Sequence, residues 1–506
     1  MSFKITFIGA GSIGFTRTLM RDMLCVPEFR DMEVAFTDIN TANLEMVRQL
    51  CQRDIDENGL KIKIRATTNR REALRGARYV FVVVRIGGLE AFQTDIDIPL
   101  KYGVDQCVGD TLCAGGIMYA QRGISALLDF CRDIREVAAP DCTLFNYANP
   151  MAMLTWAANK YGGVRTVGLC HGVQGGARQI ETALGLPQGQ LDYICAGINH
   201  QTWFIQLRHR GKDLTGKLLA AFENHRAFRS DEKVRIDMLR RFGYYSTESN
   251  GHLSEYLPWY RKRTGEIKKW INLNCWINGE TGGYLRVCTE GRNWFETDFP
   301  NWLNAPAYRF ESGERSHEHG SYILEGLETG RVYRGHFNVV NNGTITNLPE
   351  DAIVEVPGYC DRNGMNIPRV GALPLGCAAV CNASISVQRL AVEAAVHGDD
   401  GLLRQAMLMD PLVGAVCNPP EVWQMTDEML VAQAAWLPQY KKAVQEARKR
   451  LARGPLIPTR KTRGAARLRT KTIAELKRNA HEATKNAAQA DKGMERHKKP
   501  LRVGKG

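Results

Sequence analysis

Two short polar segments carry the most reactive side chains of this chain. Gly168-Leu-Cys170-His171-Gly172 and Gly197-Ile-Asn-His200-Gln-Thr-Trp203 each close a run of β-branched and apolar residues, which places a thiol and two imidazoles at strand ends. A thiolate and an imidazole on neighbouring strand ends can share a divalent metal. The spacing is not that of a zinc finger, and on residue type alone Cys170 suits a buried apolar thiol and His200 an interior hydrogen-bonded imidazole. Asn149 precedes Pro150, an arrangement that ordinarily just initiates a turn. Asp110 stands before Gly115-Gly116, where it is equally suited to satisfying backbone donors at a helix start. From Tyr244 to Tyr256 the chain is dense in proton-moving groups, among them Glu248, Asn250, His252, Glu255 and Tyr256, and density alone singles out none.

A second kind of chemistry is written at the N-terminus. Phe7-Ile8-Gly9-Ala10-Gly11-Ser12-Ile13-Gly14 sets GxGxxG between an apolar strand and a helix. Gly9 allows the tight turn, Gly11 lets backbone approach a pyrophosphate, and Gly14 is expected to let the helix sit close to the strand. Ser12 and the helix N-terminus add free N–H donors and partial positive charge. Asp38 ends the next strand, where a carboxylate takes ribose hydroxyls and disfavours a 2′-phosphate, so NAD is expected over NADP. Arg85 follows the fourth strand at the edge where a dinucleotide crosses the sheet, and an ordinary strand-to-helix turn is as good an account of it.

The elements that must position these groups alternate through the first 200 residues. Strands are expected at Lys4–Ile8, Glu33–Thr37, Lys61–Thr67, Tyr79–Arg85, Thr143–Tyr147 and Thr166–Cys170, with helices at Phe15–Leu24, Ala42–Asp56, Gly116–Val137 and Met151–Tyr161. Near-continuous apolar strands alternating with helices predict a parallel sheet covered on both faces. The fold class is α/β: a Rossmann-like doubly wound N-terminal domain (1–190), a mixed α+β second domain for substrate, metal and oligomerisation (191–450), as in lactate and malate dehydrogenases, and a basic, disordered tail (451–506). From Ser384 to about Arg450 the pattern is helical. Of the net charge of +13, +12 lies between Leu451 and Gly506, leaving the body near neutral. That tail has no aromatic residue to stack on bases, so no specific nucleic acid is expected. Fourteen scattered cysteines without a CxxC pair suit a reduced compartment, and neither a leader nor a membrane-length apolar run is found, so a cytoplasmic protein off the membrane is expected.

Taken in order, the motifs resemble the family 4 glycoside hydrolases, and within them the melibiase-type α-galactosidases. The matching stretches are Gly9-Ala-Gly11, Asp110-Thr-Leu-x-x-Gly-Gly-Ile117, Asn146-Tyr-x-Asn149-Pro-Met-Ala-Met153, Gly168-Leu-Cys-His171, Gly197-Ile-Asn-His200, Thr247 to Trp259, and Asn342-Gly-x-Ile-x-Asn-Leu-Pro349, together covering about Phe3 to Tyr440. The resemblance implies hydrolysis of terminal α-galactosides such as melibiose by a redox detour instead of a carboxylate pair. NAD oxidises sugar C3, a base removes the acidified C2 proton, the C1 group leaves, water adds, and the hydride returns. It further implies Mn2+, or another divalent ion, on Cys170 and His200, His171 as proton donor to the leaving oxygen, Asn149 on sugar hydroxyls, and Asp110 in support of metal or base. His252 and Tyr256 are the candidates for the C2 base, since related enzymes use a tyrosine or aspartate in this region. A homodimer or homotetramer is implied as well. Cys-His is typical of galactosidases and uronidases, but the usual continuation Ser-Val is Gly172-Val173 here, which keeps α-galacturonidase and α-glucuronidase as alternatives. An NAD-dependent hydroxy-acid dehydrogenase shares the first domain and is the remaining rival.

Overall fold

The computed structural model describes residues 3–479 apart from 274, 276, 277, 293 and 461. Its first half is built from β1 (Lys4–Ile8), α1 (Ile13–Leu24), β2 (Glu33–Thr37), α2 (Thr41–Glu57), β3 (Ile64–Thr67), α3 (Arg70–Leu74), β4 (Tyr79–Val82), α4 (Gly88–Lys101), α5 (Cys113–Val137), β5 (Thr143–Asn146), α6 (Met151–Ala157), β6 (Arg165–Gly168) and α7 (Gly172–Leu184). β3, β2, β1, β4, β5 and β6 pair in that order, all parallel. This is the doubly wound half expected from the alternating pattern. Phe7, Phe36, Phe81 and Phe145 stand on neighbouring strands and pack ring to ring at 5.1 to 5.5 Å, so the strands are joined by side chains as well as by backbone bonds.

The sheet does not stop at residue 190. β7 (Asp192–Ile198), β8 (Gln201–His209), β9 (Lys212–Asp213), β10 (Tyr245–Ser246), β11 (Tyr333–Val340), β12 (Ile353–Asp361) and β13 (Gly364–Asn366) extend it antiparallel beyond β6, through a bridge between Asn338 and Gly168. One sheet of thirteen strands thus carries both halves. Packing groups Met1–Leu285 with Ala307–Leu468 in one unit, across the 190/191 position where the sequence changes rhythm. The second unit is Arg286–Pro306 with Arg469–Gly506, and in its described part Lys471 N–H donates to Glu290 at 2.9 Å.

Two expectations are corrected. The segment following Gly454 is not free chain as far as Leu468: Ile457 exchanges two hydrogen bonds with Gln424, and Arg460 N–H donates to Lys101 O at 2.7 Å. Backbone donors that find acceptors on the body do not need apolar side chains to be ordered, which is why composition misread this stretch. Residues 480–506 of the basic tail lie outside the described residues. Gly14 is also not needed for close packing, because a Cβ there would meet nothing within 4 Å.

One described helix, Leu375–His397, has the length and apolarity to cross a membrane, but it packs against α5 and α6 with Cys377, Ile385, Val387 and Ala391 buried, as a core helix does. The C-terminal helices are tied to the first half by Gln433, which bonds a buried ion pair of that half. Arg122 on α5 donates to both oxygens of Asp95 on α4 at 3.0 and 2.7 Å, and Gln433 donates to the same carboxylate at 2.6 Å. Both charged side chains are 1% exposed. Arg122→Met strands the Asp95 charge in the core and is expected to cost about 3–5 kcal/mol, read as a lowered urea midpoint.

Candidate active site

The glycine turn is shaped by its first two glycines. Gly9 has φ +87°, and a Cβ on it would come within 2.7 Å of Val83 O. Gly11 N–H donates to Asp38 Oδ2 at 2.9 Å, and a Cβ there would meet the same oxygen at 2.9 Å. Asp38 also accepts from Asn40 N–H at 2.8 Å, so the carboxylate is fixed beside the turn. Ser12 is the N-cap residue of α1 without a side-chain cap bond, which leaves the first-turn N–H groups directed at the turn. The arrangement suits a dinucleotide whose phosphates meet backbone donors and whose ribose meets Asp38.

The second cluster forms where β6 ends, the β7–β8 hairpin turns and β10 passes into the helix Asn250–Tyr256. Ile198 pairs with Gln201, so Asn199-His200 is a two-residue turn and His200 takes φ +65°. A left-handed histidine is strained backbone, and the turn projects its ring inward. Donor atoms of Cys170, His200 and Glu248 lie within 4.8 Å of one another. His200 Nδ1 faces Thr111 Oγ1 at 2.9 Å and the Tyr256 hydroxyl at 3.2 Å, while its Nε2 lies 3.4 Å from Glu248. Thr111 donates its own proton to Asp110 at 3.0 Å and so accepts from Nδ1–H, which leaves Nε2 as the free ligand nitrogen.

Charge follows from these contacts. Burial, aided by His252, outweighs Glu248 and Asp110 and lowers the His200 pKa, favouring the neutral imidazole a cation requires. Burial, with Glu355 and Glu248, pushes the Cys170 thiol well up, so only a cation would make it a thiolate. Sulfur, nitrogen and carboxylate oxygen from three elements fit a divalent cation such as Mn2+ with positions left for a ligand. His319 fixes the backbone here, with Nε2 2.8 Å from Cys170 O and Nδ1 2.8 Å from the Tyr333 hydroxyl.

Asp110, 1% exposed, does not cap α5; the first N–H of that helix, on Cys113, donates to Asp410 instead. It accepts from Asn149 at 3.1 Å and faces Arg85 at 3.5 Å and His252 Nε2 at 3.8 Å. Burial favours the neutral acid, but His252, Arg85 and His200 override it and hold the carboxyl well below its usual range. His252 Nδ1 lies 2.8 Å from Glu248; burial opposes its charge, yet Glu248 and Asp110 raise it to about 10. His171, with its side chain 57% exposed, lies 3.0 Å from Glu318, which raises its pKa.

Four placements differ from the sequence reading. Glu248 joins Cys170 and His200 as the third donor; its only signal was its place in a polar stretch. Arg85, read as a cofactor residue, is held against Asp110 among the rings of Phe92, Tyr119 and Tyr284 at 4.4, 5.1 and 5.4 Å. Tyr256, offered beside His252 as a proton-moving group, is fully buried behind His200, with its hydroxyl 3.2 Å from that ring's Nδ1. Glu318 had no signal, standing 147 residues after its partner His171.

A dinucleotide turn and a thiol–imidazole–carboxylate cluster on one sheet define an enzyme of the redox-assisted kind. The chain belongs to glycosyl hydrolase family 4: residues 4–186 match the family 4 glycosyl hydrolase model, and residues 195–413 match its C-terminal domain. It is 60% identical over 488 residues to an alpha-galactosidase of Rhizobium meliloti (strain 1021), covering 96% of this chain and 99% of that one. It is 34% identical to an alpha-galactosidase of Bacillus subtilis (strain 168), covering 87% and 100%. The fold is that of the 6-phospho-beta-glucosidase of Thermotoga maritima, solved with manganese, NAD+ and glucose 6-phosphate, at TM-score 0.69 and 21% identity over 86% of this chain and 99% of that one.

Glu248→Gln is expected to weaken Mn2+ binding by roughly 100-fold, against about tenfold for the outer partner variant Tyr256→Phe, measured by equilibrium dialysis.

Proposed function

We propose that this chain is an α-galactosidase that removes terminal α-galactose, as from melibiose, using NAD and a divalent cation, Mn2+ first among them. The observation that carries this reading is the convergence of Cys170, His200 and Glu248 beside an exposed His171. Family membership, the 60% identity to an alpha-galactosidase, and the Cys170-His171 pair shared by galactosidases and uronidases support it. NAD, when bound, supplies a reversible hydride acceptor for sugar C3. A divalent cation, when bound, supplies Lewis acidity toward the sugar C2 and C3 oxygens.

The residues divide the remaining work. Gly9, Gly11 and the start of α1 cradle the pyrophosphate, and Asp38 takes the ribose hydroxyls. Asn149, already bonded to Asp110, orients sugar hydroxyls. His171 holds a proton for the departing glycosidic oxygen, and its hydrogen bond to Glu318 favours the protonated form. His252 is the group assigned to take the C2 proton: Asp110 and Glu248 face its two ring nitrogens, and a cation drawing on Glu248 would favour the neutral ring that a base requires. Arg85 restrains Asp110 from the other side. All fourteen cysteines are free thiols, which supports the cytoplasmic location that belongs to the same proposal. A homodimer or homotetramer completes it.

Purified protein incubated with p-nitrophenyl α-galactoside, NAD, Mn2+ and thiol is expected to release nitrophenol with no net NADH. Steady NADH accumulation identifies a dehydrogenase instead, and release only from α-galacturonides or α-glucuronides overturns the substrate. Substrate deuterated at C2 or C3 is expected to react more slowly.

The pH profile tests His171. Its pKa is raised by Glu318, so the active protonated form persists further into alkaline pH and is lost as pH passes that raised value. Glu318→Gln is expected to move the alkaline limb of kcat/KM to lower pH and leave saturating activity at acid pH near wild type.

A further inference from the structure

Between Ala465 and Asp110 runs a continuous set of close contacts that starts on a segment outside the active site. Asp105, 1% exposed, is the centre of it. Its carboxylate accepts from Arg261 Nη2 at 2.6 Å, from Thr281 Oγ1 at 2.8 Å and from Ala465 N–H at 2.8 Å. Thr281 exchanges backbone contacts with Ala466: its N–H donates to Ala466 O at 3.2 Å, and Ala466 N–H donates to its hydroxyl at 3.3 Å. Gly464 lies so close that a Cβ on it would meet Thr281 Cγ2 at 2.3 Å, and its φ is +85°. Arg467 adds an ion pair to Asp97 at 2.7 Å.

From this centre two routes reach the catalytic carboxylate. Gly282 N–H donates to Gln106 O at 2.8 Å and Tyr284 N–H to Cys107 O at 3.3 Å, so the 281–284 segment lies along the 105–107 segment. Tyr284 then closes the cage of rings around Arg85, which faces Asp110. On the other route, Glu255 accepts from Cys107, Val108 and Gly109 N–H at 2.6, 3.0 and 2.9 Å, and fixes the loop up to the residue before Asp110. Arg261 connects Asp105 to the helix of Glu255 and His252 through Ser254 Oγ at 3.3 Å.

We propose that Gly464–Ala466 is a positioning strap for the catalytic loop, holding Asp110 and Arg85 in register through Asp105 and Thr281. The role rests on the glycosidase reading for its substrate and on the contacts above for its mechanism. A strap of this kind changes turnover more than binding, because a displaced Asp110 misorients the proton-transfer group while the dinucleotide turn, on other elements, is unchanged. Two full-length variants attack it independently: Gly464→Val inserts a side chain into Thr281, and Ala465→Pro removes the N–H that Asp105 accepts.

In both, kcat on the α-galactoside is expected to fall roughly 10- to 100-fold while KM and the dissociation constant for NAD stay within about twofold. Coupling is reciprocal, so NAD with Mn2+ and galactose is expected to slow trypsin cleavage after Arg460, Arg463 and Arg467 in wild type and not in the variants. Unchanged kcat in both variants overturns the strap. So does parallel loss of kcat, NAD binding and thermal midpoint, which marks general destabilisation. A wild-type enzyme that cleaves a uronide and not a galactoside overturns the substrate reading alone, and the strap is then read on the uronide with the same criteria.

Discussion

Asp110 is a carboxylate taken almost wholly out of water, and the rest of the site is arranged around the need to compensate its charge. Removing such an ion from solvent costs several kcal/mol unless donors and countercharges replace the water. Here the replacement comes from four chain segments: Asn149 after β5, Arg85 after β4, Thr111 beside it in sequence, and His252 on the helix Asn250–Tyr256. Three of those groups have a second task. Thr111 sets the tautomer of His200, His252 faces Glu248, and Asn149 is the residue proposed to hold the sugar. The charge at Asp110 therefore links, through Thr111 and His252, the Cys170–His200–Glu248 cluster to the residues proposed to move protons.

The same logic recurs in the loop that carries Asp110. Glu255, fully buried, is compensated by three successive backbone N–H groups, and Asp105 by Arg261, Thr281 and Ala465. A loop held by buried carboxylates at both ends keeps little freedom. That rigidity suits a catalytic group whose angular placement decides the rate. It also explains how a basic segment near the C-terminus comes to lie against the body, since its backbone supplies one of the donors that Asp105 requires.

Much of the first half was legible. β1 and β2 stand where the apolar runs placed them, α1 and α5 begin two and three residues earlier than expected, and α2 is one residue longer at each end. Three helices were overlooked: α3, only five residues long, and α4 and α7, each of which begins at a glycine and follows a turn that drew the reading. β3 begins at Ile64 and not at Lys61, because parallel pairing with β2 starts only at Val34. Cys170, His171, His200 and Asp110 were legible as reactive side chains beside turns. Their roles were not, because a thiol or an imidazole at a strand end has commoner uses than catalysis.

What the amino-acid sequence determined by itself is local: the period of the strands, the glycine turn at Gly9 and Gly11, the carboxylate at Asp38, and the set of side chains able to do chemistry. These depend on neighbours a few residues away, and spacing records them. Tertiary structure alone decided that Glu248 lies with Cys170 and His200, that Tyr256 stands behind His200, that Arg85 faces Asp110, and that Glu318 lies beside His171. It also decided that Gly464–Ala466 is part of the body. Each of these depends on a buried charge or donor finding its complement across 25 to 360 residues of chain, and electrostatic complementarity at that range leaves no periodic trace in sequence.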